Sequence, residues 1–427
     1  MSKLTKLIKH PIRFFQDAGK SKKKPTTKKS TVKKAKSTFS SLIDIISISN
    51  VDMSHFEVAL YFAGEMGNIY QVEQWIAPFK ELNTKKPLVI IVRIKSVYDW
   101  LSANTDFIIV YCRTIENVIK FYEDNNFKCI LYVNQGAKNF QSLINAKALH
   151  VHINHGESDK SSTITNQAKA YDYVCIVGDA AYDKYNLNLI QKDMKKFIKI
   201  GRPQLDHIQK IAPFNTEKKV VLYAPTWEGT HESMNFTSLN DYGMDIVQKL
   251  IDHPDYYLLY KPHPNTGSRD SKTKSINNTI INLLKESETG ETIIGGDINS
   301  LYEHIDLAIF DNSAVAIDYL QINKPMLMTD MFHKIKDRQS KPTIVKAARM
   351  LDSSEIDNLP MIVYEELEHD TLHEIRNKIR YYFLGNYDYS QKESTQKFVN
   401  TVLDICNERD NLLENLKTMN NIAETIQ

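Results

Sequence analysis

From about residue 57 the chain alternates short, nearly unbroken apolar runs with longer stretches whose apolar positions recur every three or four residues. The first kind reads as strands and the second as amphipathic helices. In the first half the runs predict strands over Glu57–Ala63, Leu88–Arg93, Phe107–Cys112, Cys129–Val133, Ala148–Ile153, Tyr173–Gly178 and Phe197–Gly201. Helical spacing between them predicts Asn68–Leu82, Ile115–Asn125 and Ala137–Ala146. Continuous β-branched runs separated by helices indicate a parallel sheet covered on both faces. The second half repeats the scheme, with predicted strands at Val220–Ala224, Tyr257–Tyr260, Thr292–Ile294, Leu307–Phe310 and Pro325–Met328. Its predicted helices are Leu239–Asp252, Ser300–His304 and Ser313–Gln321, and from Asp370 onward the chain reads as helical. Between the halves, Gly201, Pro203 and Pro213 punctuate a predicted hinge that runs to Asn215. No repeat at solenoid spacing and no Gly-x-Gly-x-x-Gly fingerprint occurs. The expected fold class is α/β, with two doubly wound Rossmann-like domains facing a central cleft. The expected divisions are a tail over 1–38, a first domain over 39–205, a second over 206–370 and C-terminal helices over 371–427.

Charge changes this picture at one end. The whole chain carries +2, but residues 1–38 hold 13 Lys or Arg against the single Asp17, a net of +12 that leaves −10 on the remainder. Leu4, Leu7, Ile8, Ile12, Phe14 and Phe15 fall mostly on one helical face among lysines, with Pro11 interrupting, and Lys20 to Lys36 has no apolar face at all. An apolar stripe followed by a polybasic run predicts peripheral attachment to an anionic membrane surface. It is not a signal peptide, and no later stretch is apolar enough to span a bilayer. Nucleic acid is a weaker partner for this tail, whose lysines lack interleaved aromatics beyond residue 15. The cysteines Cys112, Cys129, Cys175 and Cys406 show no C-x-x-C spacing, which predicts buried free thiols in a reducing compartment and neither a disulfide framework nor a structural zinc.

The chemistry concentrates where predicted strands end. Asn154-His155-Gly156-Glu157-Ser158-Asp159-Lys160 follows the alternation of Leu149, Val151 and Ile153, and glycine lets the backbone turn beside the histidine. His150 and His152 inside that strand read as core residues. Tyr223-Ala224-Pro225-Thr226-Trp227, Lys261-Pro262-His263-Pro264 and Asp311-Asn312-Ser313-Ala314 occupy equivalent places in the second half. Two prolines stiffen the backbone around Lys261 and His263. Ser313 opens a predicted helix, where a hydroxyl and the following amides favour an anion; the plain reading of Asp311-Asn312-Ser313 is a helix cap, which is compatible with ligand binding. Strand-end loops of facing α/β domains converge on their shared cleft. No Asp-x-Asp triplet occurs, so no bound metal is expected.

Taken together, the His-Gly loop, Tyr-Ala-Pro-Thr-Trp, Lys-Pro-His-Pro and the Asp-Asn-Ser block continuing through Asp318-Tyr319-Leu320 to Lys324-Pro325 resemble the CDP-glycerol glycerophosphotransferases, the teichoic acid primases and polymerases with relatives in capsule synthesis. The resemblance runs in order over about residues 150–330. It implies a GT-B-like fold and a peripheral enzyme at the cytoplasmic face of the bacterial cell membrane. The implied reaction moves glycerol phosphate, or a related polyol phosphate, from a CDP-activated donor to a hydroxyl of a polymer or lipid-linked acceptor, without a cofactor. By position, the resemblance makes His155 the general base, puts His263 and Ser313 on the donor pyrophosphate with Thr226 near them, and puts Asp318 where the nucleotide ribose is contacted. Gly156, Arg202, Lys261, Asp311 and Asn312 complete the implied donor site, and His263 shares the catalytic work. The chain departs from the family pattern at Gln204 and Glu228, each standing where the family carries arginine. The competing reading is a GT-B glycosyltransferase or sugar-1-phosphate transferase with a nucleotide-sugar donor; a non-catalytic scaffold would leave the four motifs unexplained.

Overall fold

A computed structural model of the chain describes residues 45–46, 52–159, 164–229, 231, 235–332 and 342–426. The basic tail over 1–38 and Lys160 lie outside them.

The apolar runs form two sheets. The first has eight strands, β1 (Ile45–Ile46), β2 (Val58–Phe62), β3 (Leu88–Val92), β4 (Ile108–Cys112), β5 (Cys129–Tyr132), β6 (Leu149–His152), β7 (Tyr173–Ile176) and β8 (Phe197–Lys199), in the order β1-β4-β3-β2-β5-β6-β7-β8. The second has six, β9 (Lys219–Ala224), β10 (Tyr256–Tyr260), β11 (Gly290–Thr292), β12 (Leu307–Phe310), β13 (Met326–Thr329) and β14 (Arg349–Leu351), in the order β11-β10-β9-β12-β13-β14. Every pairing is parallel except that of β1 with β4. The helices are α1 (Tyr70–Glu73), α2 (Ile76–Lys85), α3 (Lys95–Asn104), α4 (Ile115–Glu123), α5 (Asp179–Asn188), α6 (Met244–Ile251), α7 (Ser271–Lys285), α8 (Ala314–Tyr319), α9 (Leu359–Glu368), α10 (His373–Leu384) and α11 (Glu393–Ile426).

β3 shows why the runs are unbroken. All five of its residues are at most 1% exposed, with Leu88, Ile90 and Val92 in one core cluster and Val89 and Ile91 in the cluster on the opposite face. A side chain of this kind contributes about 1.5–3 kcal/mol on burial, so either face would be costly to make polar. The second sheet is built alike, its central β9 and β12 buried between two further clusters.

Among the parallel strands both orders reverse direction once, between β2 and β5 in the first sheet and between β9 and β12 in the second. Loops leaving strands beside such a reversal diverge and open a crevice at the carboxyl edge of the sheet. The segments that leave these strands carry Tyr70 at the start of α1 after β2, Thr226 after β9 and Ser313 after β12.

The C-terminal helices join the lobes. α10 contributes Ile379, Phe383 and Leu384 to the second-lobe core, where Val177 and Ala180 of the first lobe also pack. Gly178 permits that contact, because a Cβ there would stand 2.7 Å from the Phe383 carbonyl oxygen. After Gly385, whose φ of +75° ends α10, helix α11 returns to the first lobe and buries Phe398, Val402, Ile405 and Cys406. All four cysteines are buried free thiols. Several predicted helices take other forms: Ser300–His304 lies in the 3-10 segment Ile298–His304, Leu239–Asp252 opens with a π-helical stretch over Leu239–Gly243, and Ser313–Gln321 divides into α8 and a 3-10 turn at Leu320–Ile322. Asn68–Leu82 divides into the single turn α1 and the longer α2, and Ala137–Ile144 is a 3-10 segment. Among the described residues no helix is long and apolar enough to cross a membrane.

Candidate active site

The chain leaves β6 through Ile153, whose amide still bonds Tyr132 O at 2.9 Å, and reverses at Asn154 with φ +57°. Asparagine tolerates this left-handed conformation because its short side chain bonds locally; here Asn154 Oδ1 accepts the His155 amide at 2.9 Å. The Trp75 indole donates to Asn154 O at 2.5 Å and holds the turn. The turn points His155 back across the sheet edge, where its Nδ1 lies 2.9 Å from Val133 O. A carbonyl oxygen has no proton to give, so Nδ1–H is the donor and the lone pair of the neutral ring is on Nε2. Burial pushes His155 down to about 4, the Val133 bond opposes the shift, and the positive Arg202 adds to it. The imidazole is therefore neutral at physiological pH. Behind it His152 is completely buried, has no partner on either ring nitrogen and is pushed down to about 3.

His263 reaches the same place from the other lobe. The Tyr70 ring meets His155 edge-on at 5.8 Å between centroids and His263 edge-on at 5.9 Å, so the two imidazoles are no farther apart than the sum of these distances. Trp227 stacks on His263 at 5.8 Å and 14°. The Asn265 amide donates to His263 Nδ1 at 3.0 Å, which places the proton of the neutral ring on Nε2. The two rings thus have opposite polarity, His155 with an accepting Nε2 and His263 with a donating one.

In the second lobe, Asp311 is fully buried. Its Oδ2 accepts the amides of Thr226 at 2.8 Å and Ser238 at 3.2 Å, and its Oδ1 accepts the Thr329 hydroxyl. Burial raises the pKa of this carboxyl, and those same donors oppose the rise. It pins together the loop after β9, the Ser238 segment and the end of β13. Ser313 occupies the N-cap position of α8 but its side chain makes no capping bond. Its Oγ and both polar atoms of the Asn312 carboxamide are buried without a hydrogen-bond partner. Such groups cost free energy unless something satisfies them, which makes them candidates for ligand contact. Lys261 donates to the Gly295 carbonyl, and burial lowers its pKa.

Glu228 has a structural task. It is 6% exposed and accepts the amides of Gly267 at 3.0 Å, Arg269 at 2.7 Å and Asp270 at 3.3 Å, which folds the loop following His263 around its carboxylate. Arg202 and Asp318 are joined to each other. The guanidinium Nε and Nη2 donate to the two Asp318 oxygens at 3.0 and 3.1 Å, and Nη1 donates to His155 O at 2.9 Å and Gln204 Oε1 at 2.8 Å. Gly156 lies between this guanidinium and the start of α8: a Cβ there would meet Arg202 Nη2 at 3.3 Å and Ala314 Cβ at 3.5 Å. Nearby, Asp159 accepts the Ile344 amide of the second lobe at 3.0 Å. The expected residues therefore fall into two groups. His155 and His263 both contact Tyr70, while Gly156, Arg202, Asp318, Ser313 and Asn312 gather at α8, with Thr226 tied in through Asp311. Tyr70, which motif reading did not single out, touches both histidines.

The fold recurs in solved structures. A variant of the wall teichoic acid polymerase TagF aligns over 84% of this chain and 90% of its own, with 14% identity and a TM-score of 0.55. The UDP-GlcNAc 2-epimerase of Neisseria meningitidis bound to UDP-GlcNAc aligns over 81% and 100%, with 14% identity and a TM-score of 0.53. The S. aureus MnaA–UDP structure aligns over 81% and 96%, at 11% identity and a TM-score of 0.55. At these identities the likeness shows the fold alone, two GT-B-like lobes. No curated protein matches the chain. The model of the CDP-glycerol:poly(glycerophosphate) glycerophosphotransferase family matches residues 73–335, more than half of the chain and the whole span from His155 to Asp318, and the chain belongs to that family.

Proposed function

We infer that this enzyme transfers glycerol phosphate, or a closely related polyol phosphate, from a CDP-activated donor to a hydroxyl of a growing cell-surface polymer. The observation that carries the mechanism is the pair of oppositely polarised imidazoles that both meet the Tyr70 ring edge-on. The acceptor oxygen attacks the distal phosphorus of the donor, and His155 Nε2 takes the hydroxyl proton. An oxygen–phosphorus bond forms, the bond from that phosphorus to the bridging oxygen breaks, and CMP departs with the electron pair. His263 Nε2–H, Lys261 and the start of α8 stabilise the charge growing on the departing phosphate, which is the main task of a phosphoryl-transfer site. Incubation with CDP-glycerol should release CMP and add glycerol phosphate to the acceptor by mass. Release of UDP from a panel of UDP-sugars, with none of CMP from CDP-glycerol, would refute the reading in favour of a nucleotide-sugar enzyme.

The donor contacts follow from the unpartnered atoms at α8. Asn312→Ala and Ser313→Ala should each weaken CDP-glycerol binding by about 1.5–3 kcal/mol, the range for a hydrogen bond to a charged group. Unchanged calorimetric affinity in both variants would move the donor elsewhere.

The tail is assigned to the membrane on charge and sequence pattern alone, as a device that brings the enzyme to acceptors held there. Deleting residues 1–38 should abolish sedimentation with anionic vesicles while leaving transfer to a short soluble acceptor, and added salt should weaken binding of the full chain. Undiminished sedimentation of the truncated protein would place the membrane contact elsewhere.

A further inference from the structure

We propose that Arg202 and Asp318 are a positioning strut that holds the His155 loop against the start of α8, and that neither contacts the donor. The proposal rests on reading His155 as the base. Arg202 and Asp318 are 4% and 5% exposed, and the two carboxylate oxygens each accept one N–H of the guanidinium. The guanidinium spends its remaining nitrogen on the backbone of the base itself, His155 O, and on Gln204. The residue thus bonds the loop that carries the base in one lobe and the helix that carries Ser313 in the other. Asp318 lies five positions beyond Ser313 on α8, so its place fixes where the unpartnered Asn312 and Ser313 atoms stand relative to His155. The glycine at 156 belongs to the same device, since it lets the loop sit against both Arg202 and Ala314.

Arginine suits this task for a geometric reason. Its planar fork fixes two bonds to a carboxylate at once and still offers Nη1 elsewhere, whereas a lysine ammonium is a single point charge on a flexible stem. Misplacing a reacting group by 1 Å can cost about a hundredfold in rate without altering ground-state affinity.

The test uses the full-length protein with CDP-glycerol as donor and His155→Ala in parallel. Arg202→Lys keeps a positive charge beside Asp318, so the carboxylate is not left uncompensated, but it loses the fork. The expected result is a fall in kcat of at least about tenfold with the calorimetric Kd for CDP-glycerol within about twofold of the parent. The paired variant R202Q/D318N removes both charges and adds a pH arm. Without the guanidinium, protonation of His155 becomes easier, so the acid limb of kcat/KM should move to higher pH, the groups facing His155 from β6 and α1, His152 and Tyr70, being unchanged. A tenfold weaker Kd with kcat preserved in Arg202→Lys would make Arg202 a donor contact and overturn the proposal. Parent-like kcat in Arg202→Lys while His155→Ala is inactive would overturn the strut alone; turnover retained in His155→Ala would overturn the reading of the base and the strut with it.

Discussion

Replacing His155 with alanine should lower turnover by about 10² to 10⁴, the usual contribution of a positioned general base, while donor affinity stays near that of the parent. The expectation rests on geometry before acidity. Nδ1 is committed to Val133 O, so the only basic position of the neutral ring is Nε2. The pH dependence gives a second signature. Burial holds the free enzyme's imidazole near 4, so kcat/KM should stay level from neutrality down to about pH 5 and fall below it, as protonation removes the base. Donor binding brings phosphate charge beside the ring and favours the imidazolium, so the acid limb of kcat should lie at higher pH than that of kcat/KM. Coincident limbs, or near-parent turnover in His155→Ala, would take His155 out of this role.

The two lobes could be read from the pattern of apolar runs because their central strands are buried on both faces. Leu88–Val92, Val220–Ala224 and Leu307–Phe310 are core residues of the kind that make such runs unbroken. His155 and His263 were conspicuous for a related reason, since glycine and proline mark the strand ends where loops enter the cleft. The residues that escaped notice do their work through distant or backbone partners. Tyr70 sits in a stretch with continuous helical spacing, and nothing local tells that the helix breaks before Trp75 or that the ring will touch two histidines. The bonds from Arg202 to Asp318 join residues 116 positions apart. Glu228 looked like a lost arginine, but its partners are three backbone amides of the loop after His263, and backbone amides leave no trace in sequence. Edge strand β14 was missed because its first two residues, Arg349 and Met350, are only partly buried and Arg349 opens it.

Asp311→Ala should produce the largest loss of stability among the site residues, about 3 kcal/mol or more, since it strands the buried Thr226 and Ser238 amides and the Thr329 hydroxyl at about 1 kcal/mol or more each. For lobes of this size that corresponds to a fall of about 6–12 °C in melting temperature. Asp311→Asn should also destabilise. An amide whose oxygen faces the Thr226 and Ser238 amides can donate its NH₂ to the Thr329 hydroxyl, which also accepts, so all three bonds can persist but lose the strength that the carboxylate charge gives them. A substitution at Asp106, whose side chain is 97% exposed, should stay within about 0.5 kcal/mol of the parent and serves as the control. The loss should also reach the donor site, because the same carboxylate fixes the Thr226 loop beside Asn312. Weaker CDP-glycerol binding should therefore accompany the lower melting temperature, even below the transition where the variant is still folded. Parent-like melting of Asp311→Ala would mean that the three loops hold their places without the carboxylate, and that its burial must be explained by contact with the donor instead.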